Sequence, residues 1–382
     1  MIQPVKNFSV NWVDGMKISQ KHFAAQENYF LDTIRDVASF SINRYNYGLL
    51  PVKLNTTGNS IFDIFNSATN DVQLVIKQCH AITPAGYRIS INDLSLNVSS
   101  LSTITNSQGA SSNDEHYYIL ISVNPFDRVA SGEFDPEETP PRHISAQPSY
   151  HVELVPVTSV NNDSSGGNYI VAGRVTFKTG LVNADTDFIP PCTSIQSHPV
   201  LLGFYNEFAK TIAGIQQFVL RIIQKNSFKT QNSVLAESVK GICKVMLNQF
   251  SNSYFNYRNL VHQQPPVNLI NVFAQLALAI YNGIETIPAK EKEEMLNYCH
   301  EWGDVAPHVL INHLSAVIEI NYNHHNTGEY MKSIHLLLKS LYSITDKLSG
   351  LEYIGQHKEN IVVKEEAITQ VIKDKKGWSM LD

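Results

Sequence analysis

The chain predicts an α+β fold: a mainly antiparallel, β-sandwich-like N-terminal part with one early helix, followed by an α-helical bundle. Three observations predict it. Short β-branched and aromatic runs alternate with Gly, Asn, Ser and Pro as far as about residue 188. Two adjacent prolines in "FIPPC" (188–192) then stop strand pairing. From His198 onward the apolar period becomes helical. These features divide the chain into a β-rich part (1–192), a helical part (193–350) and a short tail (351–382).

Residues 1–17 read as an extended lead-in that turns at Gly15. Ser19 is a suitable N-cap for a helix over 20–39. Phe23, Phe30, Ile34 and Val37 share one face of that helix, so the spacing predicts that they point inward. "YGLLPV", "DVQLVIKQCHAI", "GYRISI", "HYYILISV", "YHVELVPV" and "NYIVAGRVTF" are the strand candidates. In the second of these, Val72, Leu74 and Ile76 form the apolar side of a half-buried strand. "TNSQGASSNDE" (105–115) is polar and reads as loop, and "EFDPEETPPRH" (133–143) is acidic and too proline-rich for helix or central strand. Further on, Leu201, Tyr205, Phe208, Ile212, Ile215, Val219 and Ile222 recur at steps of four and three. That is a heptad seam, suited to winding against sister helices or to packing in a monomeric bundle. Helices are expected at 232–262, 267–286, 289–300, 306–322 and 328–349. The second of these is nearly all apolar and should lie centrally.

Composition narrows the function. Only 17 % of residues are charged while 43 % are hydrophobic, below the ~25 % charge of ordinary domains. Apolar surface should therefore remain after the core is filled, as in an assembled subunit. A net charge of −6 does not suit a nucleic-acid partner, which needs a basic face. The N-terminus lacks signal-peptide character, and no run of 18 apolar residues predicts direct membrane insertion. Cys79, Cys192, Cys243 and Cys299 are dispersed, which fits reduced thiols in the cytoplasm.

No motif for catalysis or a cofactor stands out. G-x-G-x-x-G, a P-loop, G-x-S-x-G and H-E-x-x-H are all absent. His300, His308, His313, His324, His325 and His335 gather late, but not at the three- or four-residue spacing of helix-borne metal ligands. They read as surface and cap residues. Asp14, His22 and Glu27 cluster within the segment 11–30 as an acid/base candidate, and the acidic loop Glu133–Glu138, a second one, reads as a solvated excursion. With no nucleophile beside them, a positioning role for His22 next to Trp12 is favoured. No catalytic, cofactor-binding or metal-binding residue is assigned.

The lead segment resembles the opening of the TssK family, the baseplate adaptors of bacterial type VI secretion systems. The residues that carry the resemblance are Trp12, Asp14, Gly15, Met16, Ser19, Gln20, His22, Phe23, Gln26 and Tyr29, together with "YGLLPV", "FIPPC" and "QPPVNLINVFAQLALAI". It implies a non-enzymatic, cytoplasmic homotrimer with a β "shoulder", a helical "neck" and a C-terminal "head". The shoulder would grip TssF/TssG-like wedge subunits and the head would reach the membrane complex at the inner membrane. On this reading Trp12, Gly15, Met16, His22 and Phe23 meet the wedge, and the 201–222 seam meets sister copies.

One departure is visible: helical periodicity runs to Gly350, and the residues beyond it are too few for a folded head. Trp378, Met380 and Leu381 near the tail's end are candidates for a linear hook toward membrane-complex subunits. Two other classes compete, a phage-tail-like receptor-binding protein and a hydrolase using the 14–27 segment.

Overall fold

A computed structural model describes residues 5–51, 61–66, 72–98, 115–160, 167–178, 181–225 and 233–358. The candidate hook residues Trp378, Met380 and Leu381, and most of the polar stretch 105–115, lie outside the described residues. The architecture is α+β. Helix α1 (Gln20–Ser39) precedes strands β1 (Gly48–Leu49), β2 (Phe62–Asn66), β3 (Val72–Ile82), β4 (Arg88–Val98), β5 (Glu115–Asp135), β6 (Arg142–Pro156), β7 (Tyr169–Lys178) and β8 (Leu181–Ala184). Six helices follow: α2 (Pro199–Gln224), α3 (Ser233–Asn259), α4 (Pro266–Glu285), α5 (Ala289–Gly303), α6 (Pro307–Ile318) and α7 (Thr327–Gly350).

The strands form two antiparallel sheets. In the first, β3 pairs with β4 on one edge and with β1 and β2 on the other. The second has the order β6-β5-β7-β8. Asn66 ties the two together, its side-chain amide exchanging hydrogen bonds with the Val182 backbone at 3.0 and 3.1 Å. Leu74, Ile76, Ile119, Ile121, Ile170 and Val175 fill the space between. As the alternation predicts, Leu74 and Ile76 face inward on β3. β7 accompanies β5 only from Glu115 to Ser122, whereas the β5–β6 ladder continues to Asp135–Arg142. The far half of that hairpin is a two-stranded ribbon reaching past its sheet. Strand pairing thus extends into the stretch 133–143, and only its proline-rich tip forms the turn.

The junction between strands and helices is tightly made. Gly48 sits at φ +108, and a Cβ there would lie 2.0 Å from the Pro191 carbonyl oxygen. Only glycine therefore lets the Leu49 N–H donate to that oxygen at 2.8 Å. The Thr193 N–H returns a bond to the Leu49 carbonyl at 2.9 Å. Ile189, Cys192, Ile195 and Leu201 carry one hydrophobic core without a break from the sheets into the bundle.

α4 is the bundle's central element, and prolines at its start set its N-terminus. It is also long and apolar enough, by length and composition, to cross a membrane. Nine of its residues are buried in the bundle, among them Leu269, Phe273, Leu276 and Ile280.

The structure corrects the seam reading of α2. Leu201, Phe208, Ile215, Val219 and Ile222 are at most 1 % exposed, and Tyr205 and Ile212 are half-buried. The chain's own helices cover the stripe: Phe208 meets Phe273 of α4 edge-on at 5.1 Å, and Ile222 faces Val239 of α3 and Leu341 of α7. No sister molecule is needed to satisfy it.

Candidate partner-binding surface

α1 begins as its sequence predicts, but it faces the opposite way. Ser19 is extended at φ −143, and its side chain and that of His22 form a capping box. The Ser19 N–H donates to His22 Nδ1 at 3.1 Å. The His22 ring lies 6.1 Å from Trp12. His22 thus fixes the corner between lead-in and helix by accepting a hydrogen bond.

The apolar stripe of α1 is exposed: Phe23 by 60 %, Phe30 by 53 %, Ile34 by 65 % and Val37 by 66 %. Phe8, Trp12, Val13, Ile18 and Phe40 extend it on both sides, all exposed. Among the described residues of α1, the buried ones are Asp32 and Arg35. The helix docks through its polar and small side. Asp32 Oδ2 accepts from the backbone of Lys6 (3.1 Å) and from the backbone and side chain of Asn7 (2.8 and 2.9 Å). Burial opposes the Asp32 charge, but these bonds and nearby Arg35 outweigh it and hold the carboxyl below its ordinary range. Arg35 lies 3.4 Å from Asp32 Oδ1 and reaches the Tyr87 hydroxyl at 3.5 Å. The lead-in and the β3–β4 turn are both tied to α1 by this buried polar group.

On the other flank, Arg128 of β5 pairs with Glu27 (3.1 Å) and donates to Asn28 (2.9 Å). A groove of about 320 Å³ opens there between Phe30, Leu31 and Ile34 and the hairpin residues Pro125, Ala146 and Pro148. The apolar surface continues onto the projecting ribbon, where Val129, Phe134 and Ile144 are about half exposed. Single exposed apolar residues are ordinary on a protein surface, whereas clustered ones such as Trp12 with Phe23, and Phe30 with Ile34 at the groove, make a candidate interaction surface.

The predicted contact residues fall partly on this face. Trp12 and Phe23 belong to it, 6.5 Å apart between ring centres, and Met16 is half-buried beside them. Gly15 forms the turn at φ +77 with open space around it. Phe23 is exposed, contrary to the inward orientation its spacing predicts. Sequence reading missed Phe8, Val13, Ile18 and Phe40. The signal available was the Asp32–Arg35 pair: an i, i+3 ion pair opposite the stripe can anchor a helix as well as an apolar face can.

The acid/base candidates are not assembled. Asp14 is exposed in the turn, Glu27 is taken by Arg128 and His22 caps the helix. Two late histidines are placed against expectation. His324 and His325 are not in a surface turn but buried at the sheet–bundle junction, 3 % and 8 % exposed. His324 Nε2 lies 3.0 Å from the Tyr47 carbonyl, and its Nδ1 lies 2.6 Å from the Tyr322 hydroxyl. Burial lowers the pKa of each to about 4, so both are neutral. His313 meets Ser340, His335 meets Glu207, and no group of three or more metal-ligating side chains converges among the described residues.

No family model matches the sequence, and no curated protein matches it. The chain is similar in structure to TssK. One crystal structure of TssK shares 16 % identity, with 87 % of this chain and 69 % of that chain covered and a TM-score of 0.49. TssK from the EAEC type VI secretion system, solved with a nanobody, shares 14 % identity at a TM-score of 0.47, with 86 % and 99 % covered. A type VI secretion TssK–TssF–TssG baseplate subcomplex also matches, at 14 % identity and a TM-score of 0.46, with 90 % and 99 % covered.

Proposed function

We propose that this chain is a non-catalytic structural subunit of a type VI secretion baseplate, a cytoplasmic adaptor that works as a homotrimer and holds TssF/TssG-like wedge proteins. The observation that carries the reading is the exposed apolar face running from Phe8 through α1 to Phe40. Its start coincides with the segment whose residues resemble the TssK opening. In the described chain this face offers binding chemistry, whereas Glu27 and His22 of the acid/base candidates are engaged with Arg128 and Ser19. Nine large apolar side chains at roughly 100 Å² each amount to about one partner's share of a standard interface.

On this reading residues 1–192 form the shoulder and 193–350 the neck. The lead-in and first turns of α1, with Trp12, Met16 and Phe23, take the wedge. The later stripe, Phe30, Ile34 and Val37, takes sister copies together with the β5–β6 ribbon, since an isolated two-stranded ribbon is marginal in water. The buried residues of the α2 seam, Leu201, Phe208, Ile215, Val219 and Ile222, serve the bundle core on this reading.

Light scattering of the purified chain, alone and with co-expressed wedge subunits, tests this. Three copies per particle are expected, and Ile34→Asp with Val37→Asp should reduce them to one. Trp12→Ala with Phe23→Ala should abolish wedge capture while leaving the copy number unchanged. A chain that stays single at micromolar concentration and captures no wedge protein overturns the reading.

A further inference from the structure

A second groove lies in the helical bundle and has no lining residue from α1. It lies between α2 and α3 and encloses about 590 Å³. Its floor is rigid: Tyr205 and Tyr257 stack with centroids 4.8 Å apart and 9° between planes. Each hydroxyl donates to the other residue's carbonyl, at 2.9 and 2.6 Å. Ala209 and Ala213 on α2 keep the trough open, and Tyr254, 59 % exposed, forms a wall. Arg258 stands at the rim, donating to the Tyr254 hydroxyl at 3.3 Å, and no described carboxylate pairs with it. An aromatic floor and wall, small residues along the trough and a cation that no described carboxylate neutralises suit an amphipathic helix with acidic residues on its flank.

The chain continues from a fixed point on the bundle. Residues 351–358 are pinned to the bundle before the described part ends. The Trp302 Nε1–H donates to the Gln356 carbonyl at 2.9 Å, and the Gly355 N–H donates to the Tyr298 hydroxyl at 3.0 Å. Glu301 accepts from the Lys358 N–H at 2.6 Å and meets His357 Nδ1 at 2.8 Å. Lys225, at the end of α2, contacts the Leu351 carbonyl. Gln216, at the near end of the groove, lies about nine residues or ~14 Å back along α2 from Lys225. Residues 359–382 have an extended reach of at most about 80 Å, so distance is no obstacle. In their sequence Ile361, Ile368 and Ile372 recur at helical spacing with Val371 beside them, Glu365 bordering that stripe on one side and Lys364 on the other.

We propose that residues 361–372 dock in the α2–α3 groove of their own molecule, with Ile368 and Ile372 against the Tyr205–Tyr257 floor and Glu365 beside Arg258. A tethered segment acts at millimolar effective concentration, so weak intrinsic affinity is enough to fill the site. The proposal stands independently of the baseplate reading.

Photo-crosslinking in the full chain tests it. With p-benzoylphenylalanine placed at Gln216, mass spectrometry should find cross-links to residues 361–372. The double variant Ile368→Asp with Ile372→Asp should lower that yield about tenfold without shifting the melting temperature. Mixing isotopically heavy and light chains separates the sources: cross-links within one mass class support the proposal. Heavy–light hybrids would assign the groove to a second copy and overturn it, as would the absence of any cross-link to the tail.

Discussion

At the residue scale, the buried histidines make stability depend on pH. His324 and His325 have pKa values lowered to about 4 by burial, while an unfolded imidazole titrates near 6.5. Between these values the unfolded chain binds protons that the folded chain refuses. Stability from these groups is complete above about pH 6.5, declines as the pH falls toward 4, and levels off below that. Each can account for up to ~3 kcal/mol. Urea midpoints measured from pH 7.5 to 4 should fall, and His325→Gln should flatten the slope. Gly48 is a second sensitive point, since any side chain there collides with Pro191. Gly48→Ala should cost at least ~3 kcal/mol, seen as a lower denaturation midpoint, because it strains the backbone and breaks the strand-to-linker bond together.

Two helices with equally regular apolar stripes behave in opposite ways at the element scale. The α2 stripe lies inside the bundle, so Phe208→Ala should destabilise the single chain by ~3–5 kcal/mol, measured by denaturant unfolding. The α1 stripe lies outside. Ile34→Asp should leave the unfolding free energy of the single chain within ~0.5 kcal/mol while changing the state of assembly. If Ile34→Asp unfolds the chain and Phe208→Ala only dissociates it, the assignment of inside and outside is reversed. Asp32 sits between these cases: it holds Lys6 and Asn7. Asp32→Ala should free the lead-in, measured as faster amide exchange at residues 6 and 7, and leave the sheets intact.

For the whole molecule, one continuous core joins sheets to bundle, so unfolding should be a single transition rather than two. The pinned segment belongs to that core: Ile354 is 1 % exposed and Leu351 9 %. A chain ending at Lys358 should keep its melting temperature within about 2 °C. One ending at Gly350 should lose several degrees, because it removes both side chains and the clamp on Glu301 and Trp302.

The sequence by itself determined the order and type of most elements, though not the short strands β2 and β8 or the far half of the β5–β6 hairpin. Ser19 caps α1, paired prolines end the strands and open α4, and a change from period two to period 3.6 separates sheet from bundle. These are local effects, carried by neighbours a few residues apart. It also located both apolar stripes. Only the tertiary structure decided which way each stripe faces, because periodicity states that a helix has an apolar side and says nothing of what covers it. For α2 the cover is the chain's own α3, α4 and α7. On α1 the inner side is held by Asp32 and Arg35 through partners at Lys6, Asn7 and Tyr87, contacts that no local pattern encodes, and its apolar side is left facing outward.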